Sequence, residues 1–101
     1  MTTDRELLEG AAKGAGYELM QFEVGDDAFN DAFRTSSGYW NPLTDDGDAL
    51  RLAIDLELDV MVASVKSVDY SLDLTIEAGT DVYAATRRAI VRAAYEIGKA
   101  T

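Results

Sequence analysis

The sequence predicts an α+β domain in which three helices pack against an antiparallel four-stranded sheet. Three observations lead there. Apolar residues recur at helical spacing near both ends of the chain and again after Asp45. Val68, Tyr70, Leu72, Leu74 and Ile76 alternate strictly with Asp69, Ser71, Asp73, Thr75 and Glu77, the pattern of a strand with one buried and one wet face. The length of 101 residues, 48% of them apolar and one a proline, suits a single folded core and is too short for two. One domain spanning 1–101 follows.

The elements read as follows. Thr3-Asp4-Arg5-Glu6 fits a capping box, Leu7, Leu8, Ala11, Ala12 and Ala15 follow at helical spacing, and Gly16 supplies a left-handed stop, so a helix is predicted over Asp4–Ala15. Tyr17–Val24 reads as a strand with Met20, Phe22 and Val24 on one face. Gly25-Asp26-Asp27 breaks it. Ala28–Tyr39 is open between a helical turn through Ala28, Phe29, Ala32 and Phe33 and a second strand entering Tyr39-Trp40. Asn41-Pro42 is a turn, because proline keeps the residue before it out of the helical region. Thr44 or Asp45 then caps a helix whose apolar face is Ala49, Leu50, Leu52, Ala53 and Leu56. Leu58–Val65 and Val68–Glu77 form a hairpin joined at Lys66-Ser67, and Thr80 or Asp81 caps a last helix over Val82–Ile97.

Composition excludes several functions. The chain has no cysteine and no histidine, which removes disulfides, thiol nucleophiles, the commonest general base and the commonest transition-metal ligands. The protein is therefore expected not to be an enzyme and to carry no cofactor or metal. No apolar run approaches the roughly 20 residues needed to span a bilayer, and the polar start Met1–Glu6 is unlike a signal peptide, so a cytoplasmic protein with no membrane partner is expected. Net charge is −10. Residues 1–81 hold 18 acidic and 5 basic side chains, whereas 82–101 hold Arg87, Arg88, Arg92 and Lys99 against Glu96. An acidic body argues against direct nucleic-acid binding. The modest core also leads us to expect a homodimer or higher homo-oligomer, or a tight partner.

The run Tyr39-Trp40-Asn41-Pro42-Leu43-Thr44-Asp45-Asp46, followed by a short amphipathic helix, two strands and the helix carrying Ala85-Thr86-Arg87-Arg88-Ala89-Ile90, resembles the phage ABA-sandwich domain family of small phage and prophage proteins. The similarity covers most of the chain from Tyr17 onward, and its specific parts are the W-x-P-x-T-D turn and the last helix. The resemblance implies a three-layer α/β/α sandwich and a bacterial host cytoplasm. It implies no shared biochemical activity.

Three constellations are candidates for chemistry. At the Trp40 turn, an indole face suits stacking on a base or sugar, Asn41, Thr44 and Asp45 offer polar contacts, and Pro42 stiffens the loop. The same residues also fit a core plug, a turn and a cap, and that reading is the favoured one. Asp45-Asp46-Gly47-Asp48 lacks the alternating spacing and distal glutamate of a calcium loop, and helix capping accounts for it better. Arg87, Arg88 and Arg92 form the basic cluster. Arg88 and Arg92 share a helix face that can grip a phosphate or pair with the protein's own acids. The row Asp69, Asp73 and Glu77 reads as an open, solvated or partner-facing sheet surface.

Two functions follow. In the first, the protein is a phage-type, non-catalytic binding protein acting in counter-defence by sequestering a small nucleotide-like host ligand. Trp40, Asn41, Thr44, Asp45, Arg87 and Arg88 form its site. In the second, it is an acidic interaction module that blocks a basic nucleic-acid-binding host protein.

Overall fold

The N-terminal helix α1, Asp4–Ala15, is bounded at both ends by local signals. The Thr3 hydroxyl accepts from the Glu6 amide at 3.1 Å, the Glu6 carboxylate accepts from the Thr3 amide at 3.3 Å, and Gly16 ends the helix at φ 75°. The computed structural model describes residues 3–18, 33–35, 38–61, 64–67, 72–75 and 81–100. Strands β1 (Phe33–Thr35) and β2 (Gly38–Trp40) pair antiparallel, with Phe33 opposite Trp40. Helix α2, Asp46–Asp55, takes Asp45 as its cap, with Asp45 Oδ2 accepting from the Asp48 amide at 2.8 Å. Strands β3 (Asp59–Met61), β4 (Ser64–Ser67) and β5 (Leu72–Thr75) form an antiparallel sheet in that order. Helix α3, Val82–Ala100, begins where Asp81 accepts from the Ala84 amide at 3.0 Å, and runs three residues past the expected Ile97.

Among the described residues the expected four-stranded antiparallel sheet is not formed. The α+β, three-layer α/β/α sandwich implied by the phage-family resemblance goes with it. Among the described residues the strands are three or four residues long and fall into two separate groups, whereas the helices hold 12, 10 and 19 residues. The molecule is a helical body carrying short ribbons. The physical reason is where the apolar surface goes. Leu7, Leu8, Ala11 and Ala12 of α1, Ala49, Leu52 and Ala53 of α2, and Ala89, Val91, Ala93 and Ala94 of α3 bury against one another, with Trp40 among them. Helices satisfy each other's stripes directly, so no broad sheet is needed to cover them.

Small residues make this possible. A Cβ at Gly14 would run into the Ala94 carbonyl, and one at Gly98 into the Gly10 carbonyl, so α1 and α3 approach to backbone contact. α3 also packs on α2, β4 and β5.

The strand register differs from expectation as well. Leu58–Val65 holds parts of two strands: Met61 lies opposite Ser64, and Lys66-Ser67, expected as a connection, lies within β4, Lys66 paired with Asp59 and Asp73 and Ser67 with Leu72. Between Trp40 and Asp45 the expected turn is present, and of the segment before it the described residues form two short paired strands, β1 and β2, where a single strand entering Tyr39-Trp40 is one of the two expectations. The expected strand over Tyr17–Val24 lies outside the described residues beyond Glu18. So do Asp69 and Glu77 of the carboxylate row, Thr80, and the Ala28–Ala32 part of the open segment. No described helix is long and apolar enough to cross a membrane.

Candidate functional site

The Trp40 turn is built from hydrogen bonds directed inward. Asn41 Oδ1 accepts from the Leu43 amide at 3.0 Å, and the Asn41 carbonyl accepts from the Thr44 and Asp45 amides at 3.1 and 2.9 Å and from the Thr44 hydroxyl at 3.4 Å. The Asn41 amide donates to Asp48 Oδ2 at 2.9 Å. Asp48 is buried, and its other oxygen accepts from Arg51 Nη2 at 2.6 Å. That carboxylate raises the Arg51 pKa further above its ordinary value. Pro42 is fully buried. The turn thus closes on the first turn of α2, and Asp48 is the clasp.

Trp40 itself is 5% exposed. Its ring meets Tyr17 edge-on, centroids 5.7 Å apart at 89°, and the Tyr17 hydroxyl donates to Asp55 at the end of α2. Stacking on a ligand would require the indole to leave the core. Partial burial and the Asp55 carboxylate push the Tyr17 hydroxyl above the usual tyrosine range.

The arginines are divided between two places. Arg87, with 18% of its side chain exposed, donates from Nε to the Leu43 carbonyl at 2.9 Å and from Nη1 to Asp46 at 2.6 Å. It ties α3 to the turn and to the start of α2. Arg88 reaches the other way and donates to Asp4 of α1 at 2.8 Å. Arg92 pairs along its own helix with Glu96 at 3.7 Å. The structure therefore gathers Asn41, Thr44, Asp45 and Arg87 about one turn with Trp40 beneath it, and leaves Arg88 apart. Asp45 caps, Asp46 pairs with Arg87, and Asp48 holds Asn41 and Arg51. Among the described residues no three carboxylates are grouped as a metal site.

Beside this turn lies a feature that residue-by-residue reasoning missed. An open groove of about 590 Å³ runs between α2, β3 and the start of α3. Ala49 and Leu50 form one wall, Val60 and Met61 another, and Val82, Tyr83 and Ile90 the third, while Asp46 and Arg87 stand at the rim. Among the described residues six large hydrophobic side chains are exposed, and five of them line this groove: Leu50, Val60, Met61, Val82 and Tyr83. The sixth, Ile54, lies one helical turn beyond Leu50 on the same stripe of α2. A signal for this was present in the sequence. Leu50 and Leu52 are about 200° apart on a helix, so α2 could not place both on one buried face.

No family model matches the chain, and neither the curated proteins nor the solved structures supply a similar protein.

Proposed function

We propose that the protein works by binding, without chemistry of its own, and that its binding surface is the groove between α2, β3 and α3. The observation carrying this reading is the convergence of five exposed large apolar side chains on one concave surface. Exposed apolar residues scattered singly mean little, whereas a contiguous concave patch rimmed by polar groups marks a place where another molecule sits. A nucleotide-like ligand fits the geometry less well. It needs an aromatic face and free cations together, and here the indole is packed in the core while Arg87 and Arg88 each already hold a carboxylate. The acidic-interaction reading keeps its support, because it asks for a surface and not for a stacking pocket.

The test is titration of the protein with Nile red, a neutral apolar dye. Saturable fluorescence enhancement is expected, lost in Met61→Glu and Leu50→Glu while circular dichroism is unchanged. Enhancement that survives both substitutions, or none in the wild type, would overturn the assignment of the groove.

A further inference from the structure

We infer that the occupant of the groove is a basic amphipathic helix belonging to another protein. This rests on the reading of the groove as a binding surface and names its partner. The groove is more open than enclosed, so a small ligand held there would keep part of its surface in water, whereas small-molecule sites bury most of theirs. A macromolecular segment brings its own cover. The apolar surface is also elongated, since Ile54 extends the Leu50 stripe along α2 beyond the groove itself. A row of anchors at i, i+3, i+4 and i+7 on a helix is the shape that fits such a trough between two helices. An extended peptide would need a sheet edge to pair with, and the strand that borders the groove, β3, offers only three residues.

Charge selects among helices. Residues 45–61 and 81–90, which build the walls and rim, contain seven carboxylates against three arginines. Two of those arginines are committed, Arg51 to Asp48 and Arg87 to Asp46, and Arg88 faces Asp4 of α1. Asp55, Glu57, Asp59 and Asp81 are exposed on the segments that carry the groove's lining residues. A second copy of this chain would bring segments of the same negative balance against these, under a net charge of −10 on each molecule, and an anionic lipid surface would be repelled in the same way. Lysines and arginines flanking an apolar stripe complement the rim and steer the encounter.

The experiment is fluorescence anisotropy with labelled synthetic peptides of about 18 residues, long enough to hold a helix. One carries leucines at i, i+3, i+4 and i+7 with lysines elsewhere, one is its scrambled isomer, and one replaces the lysines by glutamate. The ordered basic peptide is expected to bind at least about tenfold more tightly than either control, a difference of about 1.4 kcal/mol, and to weaken as salt rises. Met61→Asp and Leu50→Asp add negative charge, yet they should weaken it by about tenfold or more, because they remove anchor contacts. Glu57→Gln with Asp59→Asn should weaken it a few-fold and flatten the salt dependence. Equal binding of the scrambled peptide, or retention in Met61→Asp and Leu50→Asp, would mean bare charge attraction and overturn the inference. Equal binding of the glutamate peptide would overturn the choice of a basic partner. Nile red binding without peptide binding would defeat the helix and leave the groove standing. Failure of both would remove the groove reading too.

Discussion

The α1–α3 interface and the groove beside α2 use apolar residues in opposite ways. Between α1 and α3 the residues are small, Gly10, Gly14, Ala94 and Gly98, and the helices meet at backbone contact with nothing left over. Along the groove the residues are large, Leu50, Met61, Val82 and Tyr83, and they stand in solvent. Hydrophobic content alone cannot tell the two apart. What differs is whether the opposing surface is supplied by the same chain. One region spends its apolar surface on folding, and the other leaves it in solvent, so substitutions should act on stability in the first and on the proposed binding in the second.

The largest effect is expected at Gly98. A methyl group there meets the Gly10 backbone, not a side chain that can swing aside. Overpacking of a closed interface costs about 1–3 kcal/mol and more where backbone must move, so Gly98→Ala should fall at or above the upper end by urea denaturation. Gly10→Ala should cost less, because the group it meets is the Tyr95 ring, which can turn. Equal costs at the two positions would mean that α1 and α3 are not in backbone contact.

Asp48→Ala comes next. It leaves the part-buried Asn41 amide without its acceptor and releases Arg51 from its closest partner. An unsatisfied buried donor costs about 1–3 kcal/mol. Asp48→Asn, which keeps one acceptor oxygen of the right size, should recover part of that loss. If Asn and Ala behave alike in thermal unfolding, the clasp contributes through charge and not through the Asn41 bond.

How much of this was legible follows the sequence distance over which each interaction acts. The Thr3–Glu6 box, the Gly16 stop, the Asp45 cap and the turn at Asn41-Pro42 were all readable, because each joins residues a few positions apart and has a residue type suited to it. The Arg87–Asp46 pair joins residues 41 apart, and the Gly14 and Gly98 approach joins the two ends of the chain. Nothing local encodes either. The sheet was misjudged for a related reason. Alternation at Leu72–Thr75 gives a strand but not its length or its neighbours, and the run Leu58–Val65 carries no glycine or proline to mark the reversal between Met61 and Ser64. For the site, Trp40 drew attention as an aromatic in a rigid turn, although the same properties suit a core position. Leu50 falls on the apolar face expected for α2 because periodicity cannot distinguish a face that is covered by the chain from one that stays in solvent.

Tyr17 touches Trp40 in the core and Asp55 at the end of α2. Desolvation first, and the Asp55 carboxylate second, raise its pKa in the folded state. The unfolded chain releases this proton near pH 10. A raised folded value means that the protonated hydroxyl stabilises the fold fully below about pH 10, and that this contribution is lost as pH rises beyond it, because the unfolded state ionises first. The urea midpoint of the wild type should therefore fall more steeply above about pH 10 than that of Tyr17→Phe. Parallel pH profiles for the two proteins would mean that the hydroxyl is solvated in the fold.

The smallest expected change in stability belongs to the groove, and it is the one that separates the two regions most sharply. Leu50→Gln and Met61→Gln replace side chains that are 59% and 66% exposed, so little apolar surface is returned to water on mutation. Surface substitutions of this kind stay within about 0.5 kcal/mol, while each removes an anchor from the floor of the groove. Denaturation midpoints unchanged beside lost Nile red binding is the expected combination. A loss of 2 kcal/mol or more, comparable to a core truncation, would mean that Leu50 and Met61 are covered in the folded protein. The distinction between an interface that closes on itself and one left open would then disappear.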